Sequence, residues 1–206
     1  MQVRQLKIGG AWEFTPPQFE DPRGTFAAWY DAGPFAEAVG YPLAVGQTNH
    51  VVSRRGAIRG VHFALVPPGQ AKYVYCPQGA ALDVVVDIRV GSPTFGQCDT
   101  VTLDAVGCRA AYLEEGLGHA YVALEDGTVL VYLCSERYNP DREFGVHPLD
   151  PALALPWPAG LTPILSERDR VAPTLAEAAG KGLLPTYEAC RQYRRRLRER
   201  SLGGER

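Results

Sequence analysis

The stretch Gly56–Lys72, GAIRGVHFALVPPGQAK, places Arg59, His62 and Lys72 close together in sequence. Farther along come Tyr132, inside the apolar run Val129–Cys134, and Asp169, in the phrase Ser166-Glu167-Arg168-Asp169. A base, an oxyanion donor, an acid and an anion-binding arginine are the parts needed to move a proton on a carbon beside a ketone. An imidazole titrates near neutrality and suits the base. A lysine opening an apolar run is expensive to bury and needs a reason. At Lys72 the reason would be the negative charge that develops on a ketone oxygen, which a preorganised donor stabilises by about 3–4 kcal/mol. By alternation Tyr132 shares a face with Leu130 and Cys134. As an acid it would return a proton to the face opposite His62, the arrangement that inversion of a stereocentre requires. Asp169 would orient His62 and stabilise its charged form. Asp83 is a rival for that role, because it alternates onto the polar face of its strand. Each residue also has a purely structural reading: a hydrogen-bonded strand histidine, a core tyrosine, and a helix-start box in Ser166-x-x-Asp169.

The elements that must hold these residues are mostly strands. Ala81–Arg89, ALDVVVDIR, alternates, with Leu82, Val84, Val86 and Ile88 on one side and Asp83, Val85, Asp87 and Arg89 on the other. Further strands are expected at Lys72–Cys76, Asp99–Leu103, Ala110–Leu113, His119–Leu124 and Thr128–Cys134. Turn signals such as Pro77-Gln78-Gly79 and Glu125-Asp126-Gly127 separate them. Short strands at this spacing predict an all-β antiparallel sandwich or barrel. After Asp150-Pro151 a proline-rich segment reads as an irregular wrap. Thr174-x-x-Glu177 reads as a capping box opening a short helix that stops near Gly180. A second helix is expected from about Thr186 to Arg200, with a frayed tail after Ser201. The domain division expected is 1–180 for the sandwich and 181–206 for the C-terminal helix and tail.

Composition narrows the function. The chain has 206 residues, 46% hydrophobic and 21% charged, and a net charge of −2. That fits a globular protein with a sizeable core and no general affinity for nucleic acid. The arginine run from Arg191 to Arg200 is expected to be a solvated helix face. The five cysteines show no metal-type spacing, and two of them sit in strand-like apolar runs. Only four histidines exist, His50, His62, His119 and His147, without a His-x-His pair, so no metal is expected. There is no apolar signal core at the N-terminus and no membrane-length run, so no membrane contact and a cytoplasmic location are expected.

The order of these phrases resembles the dTDP-4-dehydrorhamnose 3,5-epimerase family. The resemblance runs from Phe19 to about Leu175. It is carried by Phe19-x-Asp21-x-Arg23-Gly24-x-Phe26, Gln47-x-Asn49-x-x-x-Ser53, Gly56-x-x-Arg59-Gly60-x-His62, Gln70-x-Lys72 and Asp83-x-x-x-Asp87-x-Arg89. Further on it is carried by Gly116-x-Gly118-His119, Tyr132-x-Cys134, Tyr138-x-Pro140-x-x-Glu143 and Ser166-x-x-Asp169. The resemblance implies a cupin-like jelly roll, a homodimer, and a dTDP-linked 4-keto-6-deoxy sugar inverted at C-3, C-5 or both without metal or cofactor. It also leaves room for a single-site epimerase or a keto-sugar isomerase of the same fold. It implies His62 as base oriented by Asp169, Tyr132 as acid, and Lys72 at the C-4 oxygen. Arg23, Gln47, Asn49, Arg59, His119, Glu143 and Arg168 fall at substrate-contacting positions, and Tyr138 at the one that stacks on thymine. Ala28 stands where the family usually has a glutamate near the sugar, which suggests a substrate with fewer hydroxyls. Other phrases resemble the branch that makes unusual deoxysugars for antibiotics.

Overall fold

The computed structural model describes residues 1–203. In chain order these form β1 (Gln2–Gln5), β2 (Ala11–Thr15), β3 (Gln18–Asp21), β4 (Gly24–Ala27), α1 (Ala32–Val39), β5 (Gln47–Ser53), β6 (Ile58–Ala64), β7 (Lys72–Gln78) and β8 (Ala80–Val86). There follow β9 (Cys98–Asp104), β10 (Ala110–Leu113), β11 (Gly118–Ala123), β12 (Thr128–Cys134), β13 (Glu143–Gly145), α2 (Glu167–Arg170), α3 (Leu175–Gly180) and α4 (Tyr187–Gly203). A six-stranded sheet, β1-β2-β10-β7-β12-β5, faces a five-stranded sheet, β13-β6-β11-β8-β9, and every ladder in both is antiparallel. Of the sandwich or barrel that the strand pattern predicts it is the sandwich, as the jelly roll implied by the family resemblance requires. A separate ribbon of β3 and β4 stands outside both sheets.

Apolar side chains pack in three layers. Val74, Cys76, Val85, Leu103, Leu113, Tyr121 and Leu130 fill the space between the sheets. Val61, Phe63, Val84, Val86 and Ile88 pack on the other side of the five-stranded sheet, against Leu153, Leu175, Ala178 and Leu184 of the C-terminal wrap. Phe14, Tyr73 and Tyr112 of the six-stranded sheet pack against Phe35 and Val39 of α1, with Leu197 of α4 at the edge. Many central strands are therefore covered on both faces. That corrects one expectation about Ala81–Arg89. The alternation is real, but the side bearing Asp83 and Val85 is the interior between the sheets rather than a solvated polar face. Asp83, Asp87 and Arg89 are all buried. The ladder also ends at Val86, because Asp87 leaves it to hold its own loop. Its carboxylate accepts from Arg89 Nε and Nη2, at 2.9 and 2.8 Å, and from the hydroxyls of Ser92 and Thr94, both at 2.6 Å. Arg89 Nη1 continues to Glu114 at 2.9 Å, and Glu114 accepts from Arg194 of α4 at 3.0 Å. The Asp87-x-Arg89 and Ser92-x-Thr94 phrases are thus a buried clamp that fastens the last helix to the sandwich.

The wrap after Asp150 is irregular and the capping box at Thr174 and Glu177 is formed in full. The last helix starts at Tyr187 and runs three residues past the expected end at Arg200, through Gly203, so Leu202 and Gly203 continue it instead of fraying. The tail call on residues 204–206 lies outside the described residues. Strands β1 to β6 and β13 are not evident from hydrophobic alternation. In β5 the reason is physical: Gln47, Thr48, Asn49 and His50 are polar, so the pleat carries no apolar signal.

Candidate active site

The site lies between the sheets, and each sheet supplies part of it. From the five-stranded sheet come Arg59 and His62 of β6 and His119 of β11. In a regular strand residues three apart point to opposite faces. Here the register of β6 against β11 slips by one residue, from Arg59 opposite Tyr121 to His62 opposite His119. This bulge turns Arg59 and His62 to the same inner face. Gly60 makes it possible: its φ is +124°, and a Cβ there would come within 2.4 Å of the His119 carbonyl oxygen. Arg59, His62, Ser166, Arg168 and Asp169 line one cavity of about 300 Å³.

From the six-stranded sheet come Lys72 of β7, Tyr132 of β12, and Gln47 and Asn49 of β5. Asn49 lies opposite Tyr132, and Gln47 opposite Cys134, which is in turn opposite Lys72. Gln47 Nε2 donates to Asn49 Oδ1 at 2.7 Å, and Gln47 Oε1 accepts from the Tyr138 N–H at 3.0 Å. The Tyr132 ring meets the His119 ring edge-on, with centroids 6.0 Å apart, so the two sheets touch at the floor of the site.

Helix α2 delivers the carboxylate. Ser166 caps it by accepting from the Asp169 N–H at 3.1 Å, and Asp169 Oδ1 sits 2.6 Å from His62 Nε2. The helix-start reading of Ser166-x-x-Asp169 holds, and the cap aims the carboxylate at His62. Asp83 is not on His62. It holds His119, with Oδ2 2.7 Å from Nε2, while its Oδ1 is buried with no hydrogen-bond partner among the described residues. Arg168 reaches over the loop after β12, donating to the Glu143 carbonyl at 2.9 Å and, at 3.5 Å, to the Tyr138 hydroxyl. Glu143 opens β13, which pairs with β6 beside His62.

Arg23 is the exception. It sits at the tip of the β3–β4 ribbon, 90% exposed, in an ion pair with Asp21 at 2.6 Å, and does not join the site of its own chain. Ala28, just after β4, is exposed as well. Two residues were missed by reading the sequence. Tyr121 looks like core, and Ser53 ends a strand with no apolar signal, yet their hydroxyls are 2.9 Å apart at the edge of the site. The Ser53 phrase matched the family motif, which was the one available signal.

The electrostatics suit proton transfer. Burial lowers the His62 pKa, and Asp169 offsets only part of that, so the imidazole is held below its ordinary range and stands as a neutral base near pH 7. Burial pushes the Asp169 carboxyl up, but the hydrogen bond and charge of His62, with Ser166 and Arg168, outweigh it and keep the carboxylate ionised. The carboxylate accepts a hydrogen bond from Nε2–H, which leaves the Nδ1 lone pair free. Burial also lowers Lys72, with Cys134, Glu143 and Asp83 opposing. Burial drives Tyr132 well above its ordinary value, so its hydroxyl keeps its proton. Among the described residues no three His, Cys, Asp or Glu side chains cluster as metal ligands.

Comparison with known proteins decides the family. The sequence model of the dTDP-4-dehydrorhamnose 3,5-epimerase family matches residues 5–177. The chain belongs to that family. It is an isomerase of the sugar-nucleotide epimerase type. It is 57% identical over 190 residues to a dTDP-4-dehydrorhamnose 3-epimerase of Streptomyces niveus, covering 92% of this chain and 91% of that one. It is 53% identical over 201 residues to a dTDP-4-dehydrorhamnose 3,5-epimerase of Streptomyces griseus, covering 98% and 100%. Among solved structures it is similar to ChmJ, a 3'-monoepimerase of Streptomyces bikiniensis in complex with dTDP-quinovose. That match has a TM-score of 0.92 at 49% identity, covering 94% of this chain and 98% of that one. Single and double epimerases both stand among these relatives. Among the described residues no helix is long and apolar enough to cross a membrane.

Proposed function

We propose that the enzyme inverts a dTDP-linked 4-keto-6-deoxy sugar at a carbon next to the C-4 ketone, C-3, C-5 or both, within an antibiotic-type deoxysugar pathway in the cytoplasm. One observation carries this reading: His62 comes from one sheet, while Tyr132 and Lys72 come from the other. A sugar ring lying between the sheets meets the base on one face and the acid on the opposite face. His62 Nδ1 removes the proton that the ketone acidifies, and Asp169 stabilises the imidazolium that forms. The C-4 oxygen becomes an enolate beside the Lys72 ammonium. Tyr132 then gives its proton to the ring carbon from the other side, and the ketone reforms inverted. Every step moves a proton, so no metal or cofactor is required. Arg59 and Arg168 suit the diphosphate, since guanidinium forks match phosphate oxygens. Tyr138 would stack on thymine, and Gln47, Asn49, His119 and Glu143 would hold the sugar. We assign this chemistry to residues 1–180 and a bracing role to helix α4, Tyr187–Gly203, of the segment 181–206.

Arg23 enters this picture through a homodimer. An isolated two-stranded ribbon is marginal in water. Here Phe19 and Phe26 face each other across it, 60% and 67% exposed. Strand β5 is likewise an open edge of its sheet. A second copy that covers the ribbon would receive Arg23 near its own β5 edge, and Ala28 with it. An alanine there leaves a sugar hydroxyl without a protein partner, in keeping with a substrate that has fewer hydroxyls.

Solvent deuterium exchange into dTDP-4-keto-6-deoxyglucose, read by NMR, tests the assignment and reports which carbons react. His62→Asn should lower exchange and inversion by about 10²–10⁴-fold, the worth of a positioned base. Wild-type exchange in that variant would remove His62 from the mechanism, and exchange without inversion in the wild type would favour the isomerase reading.

A further inference from the structure

Once Tyr132 has given up its proton it is a phenolate between two sheets, and something must stabilise that charge. The nearest built arrangement is a row of buried hydroxyls. The Tyr121 and Tyr132 rings lie edge-on, with centroids 6.4 Å apart and planes at 72°. The Tyr121 hydroxyl is 2.9 Å from Ser53 Oγ. Ser53 Oγ in turn accepts from Arg59 Nε at 3.3 Å, and Arg59 Nη2 donates to the Val52 carbonyl at 3.4 Å. Tyr121 and Ser53 are 1% and 4% exposed, so water does not satisfy these hydroxyls and they must satisfy one another. The row also has a direction. A guanidinium only donates. With the Arg59 N–H on Ser53 Oγ, the Ser53 hydroxyl is free to donate to the Tyr121 oxygen, and in that orientation the Tyr121 O–H is free for Tyr132.

We propose that Tyr121 is a positioning residue for the acid: held by Ser53 and Arg59, its hydroxyl fixes the Tyr132 side chain and donates to the Tyr132 oxygen as that group loses its proton. The inference rests on the reading of Tyr132 as the acid. No bond in the substrate is broken by Tyr121. The Tyr132 proton goes to the ring carbon, and the Tyr121 proton stays on Tyr121 while its hydrogen bond to the new phenolate shortens. The arrangement acts only on the second half of the reaction, because the His62 side chain is held by Asp169 and takes no part in it.

Three variants test this with dTDP-4-keto-6-deoxyglucose in D₂O, with thymidine diphosphate binding as the check on folding. Tyr121→Phe keeps the ring and its packing but removes the hydroxyl. Deuterium wash-in should stay within about two-fold of wild type, and inverted product should form about ten- to hundred-fold more slowly, the range for losing a hydrogen bond to a charged group. Ser53→Ala should shift the same ratio in the same direction by less. Tyr132→Phe should abolish inversion and keep wash-in. Equal loss of wash-in and inversion in Tyr121→Phe, or an unchanged ratio with inversion lost only in Tyr132→Phe, would overturn the role of Tyr121 while leaving Tyr132 as the acid. Wild-type inversion in Tyr132→Phe would remove the acid itself, and the inference with it.

Discussion

Replacing Asp169 by Asn probes the base without touching it. The asparagine keeps the size of the side chain, and Ser166 still caps the backbone N–H of residue 169, so helix α2 has no reason to move. What is lost is the charge behind a 2.6 Å hydrogen bond from His62 to a carboxylate that is only 3% exposed. A hydrogen bond to a charged group contributes about 1.5–3 kcal/mol, which is roughly a ten- to hundred-fold effect on rate. In the wild type that bond and that charge are the two influences that raise the His62 pKa against burial. Without them burial acts unopposed, and the His62 pKa falls further. The base is active when neutral, so kcat/KM falls as pH drops through the His62 pKa. In Asp169→Asn this acidic limb must move to lower pH, while the plateau drops by the ten- to hundred-fold estimated above, because the imidazolium formed in the reaction is no longer stabilised. The assay is kcat/KM for dTDP-4-keto-6-deoxyglucose from pH 4.5 to 8, with deuterium wash-in followed in parallel to read the first proton transfer. An acidic limb that stays in place or moves up, or a plateau within three-fold of wild type, would refute the dyad and reopen the role of Asp83.

The other predictions address the metal, the dimer and the core. Exhaustive chelation should leave activity unchanged; loss restored by zinc, iron or nickel would replace the proton-transfer scheme. Mixed dimers of an Arg23→Ala protomer with a His62→Asn protomer should regain about half of wild-type activity. One of the two sites then combines an intact His62 with the partner's intact arginine, and no recovery would place Arg23 outside the site. Burial pushes the Glu115 carboxyl up from 4.5 to about 7, beside Glu114 and Glu136. The native state therefore holds this proton where the unfolded chain releases it, and stability falls as pH rises from 4.5 through 7. The full cost above pH 7 is about 3 kcal/mol. Glu115→Gln should therefore stabilise the protein in urea unfolding by about that much at pH 8 and by less than about 1 kcal/mol at pH 5. Equal effects at both pH values would show that the charge at Glu115 is not what costs stability.

Much of this protein is legible in its sequence because several signals are local. Apolar alternation and turn residues mark the central strands, and the Thr174–Glu177 box marks a helix start, since each depends on neighbours a few residues away. The identities of the reactive residues are also legible, because a proton transfer beside a ketone calls for few side-chain types. Two of the strands that escaped notice, β5 and β6, bear residues of the site. A strand whose inner face holds Gln47 and Asn49 cannot show an apolar stripe.

By itself the sequence determined the sandwich, the chemistry its residues can do and the motif order that marks the family. Only the tertiary structure decided which carboxylate serves which histidine. Asp83 and Asp169 are equally plausible in one dimension, and a capped turn of helix places one on His62 while a strand register places the other on His119. Only the structure showed that Arg59 and His62 share a face, because the slip at Gly60 depends on how closely β11 passes. It also separated Arg23 from the site of its own chain and brought Ser53 and Tyr121 to it. Alternation states which side of a strand a residue takes. Whether that side meets solvent, core or substrate depends on what the rest of the chain lays over it, and in a sandwich covered on both faces those partners are far away in sequence.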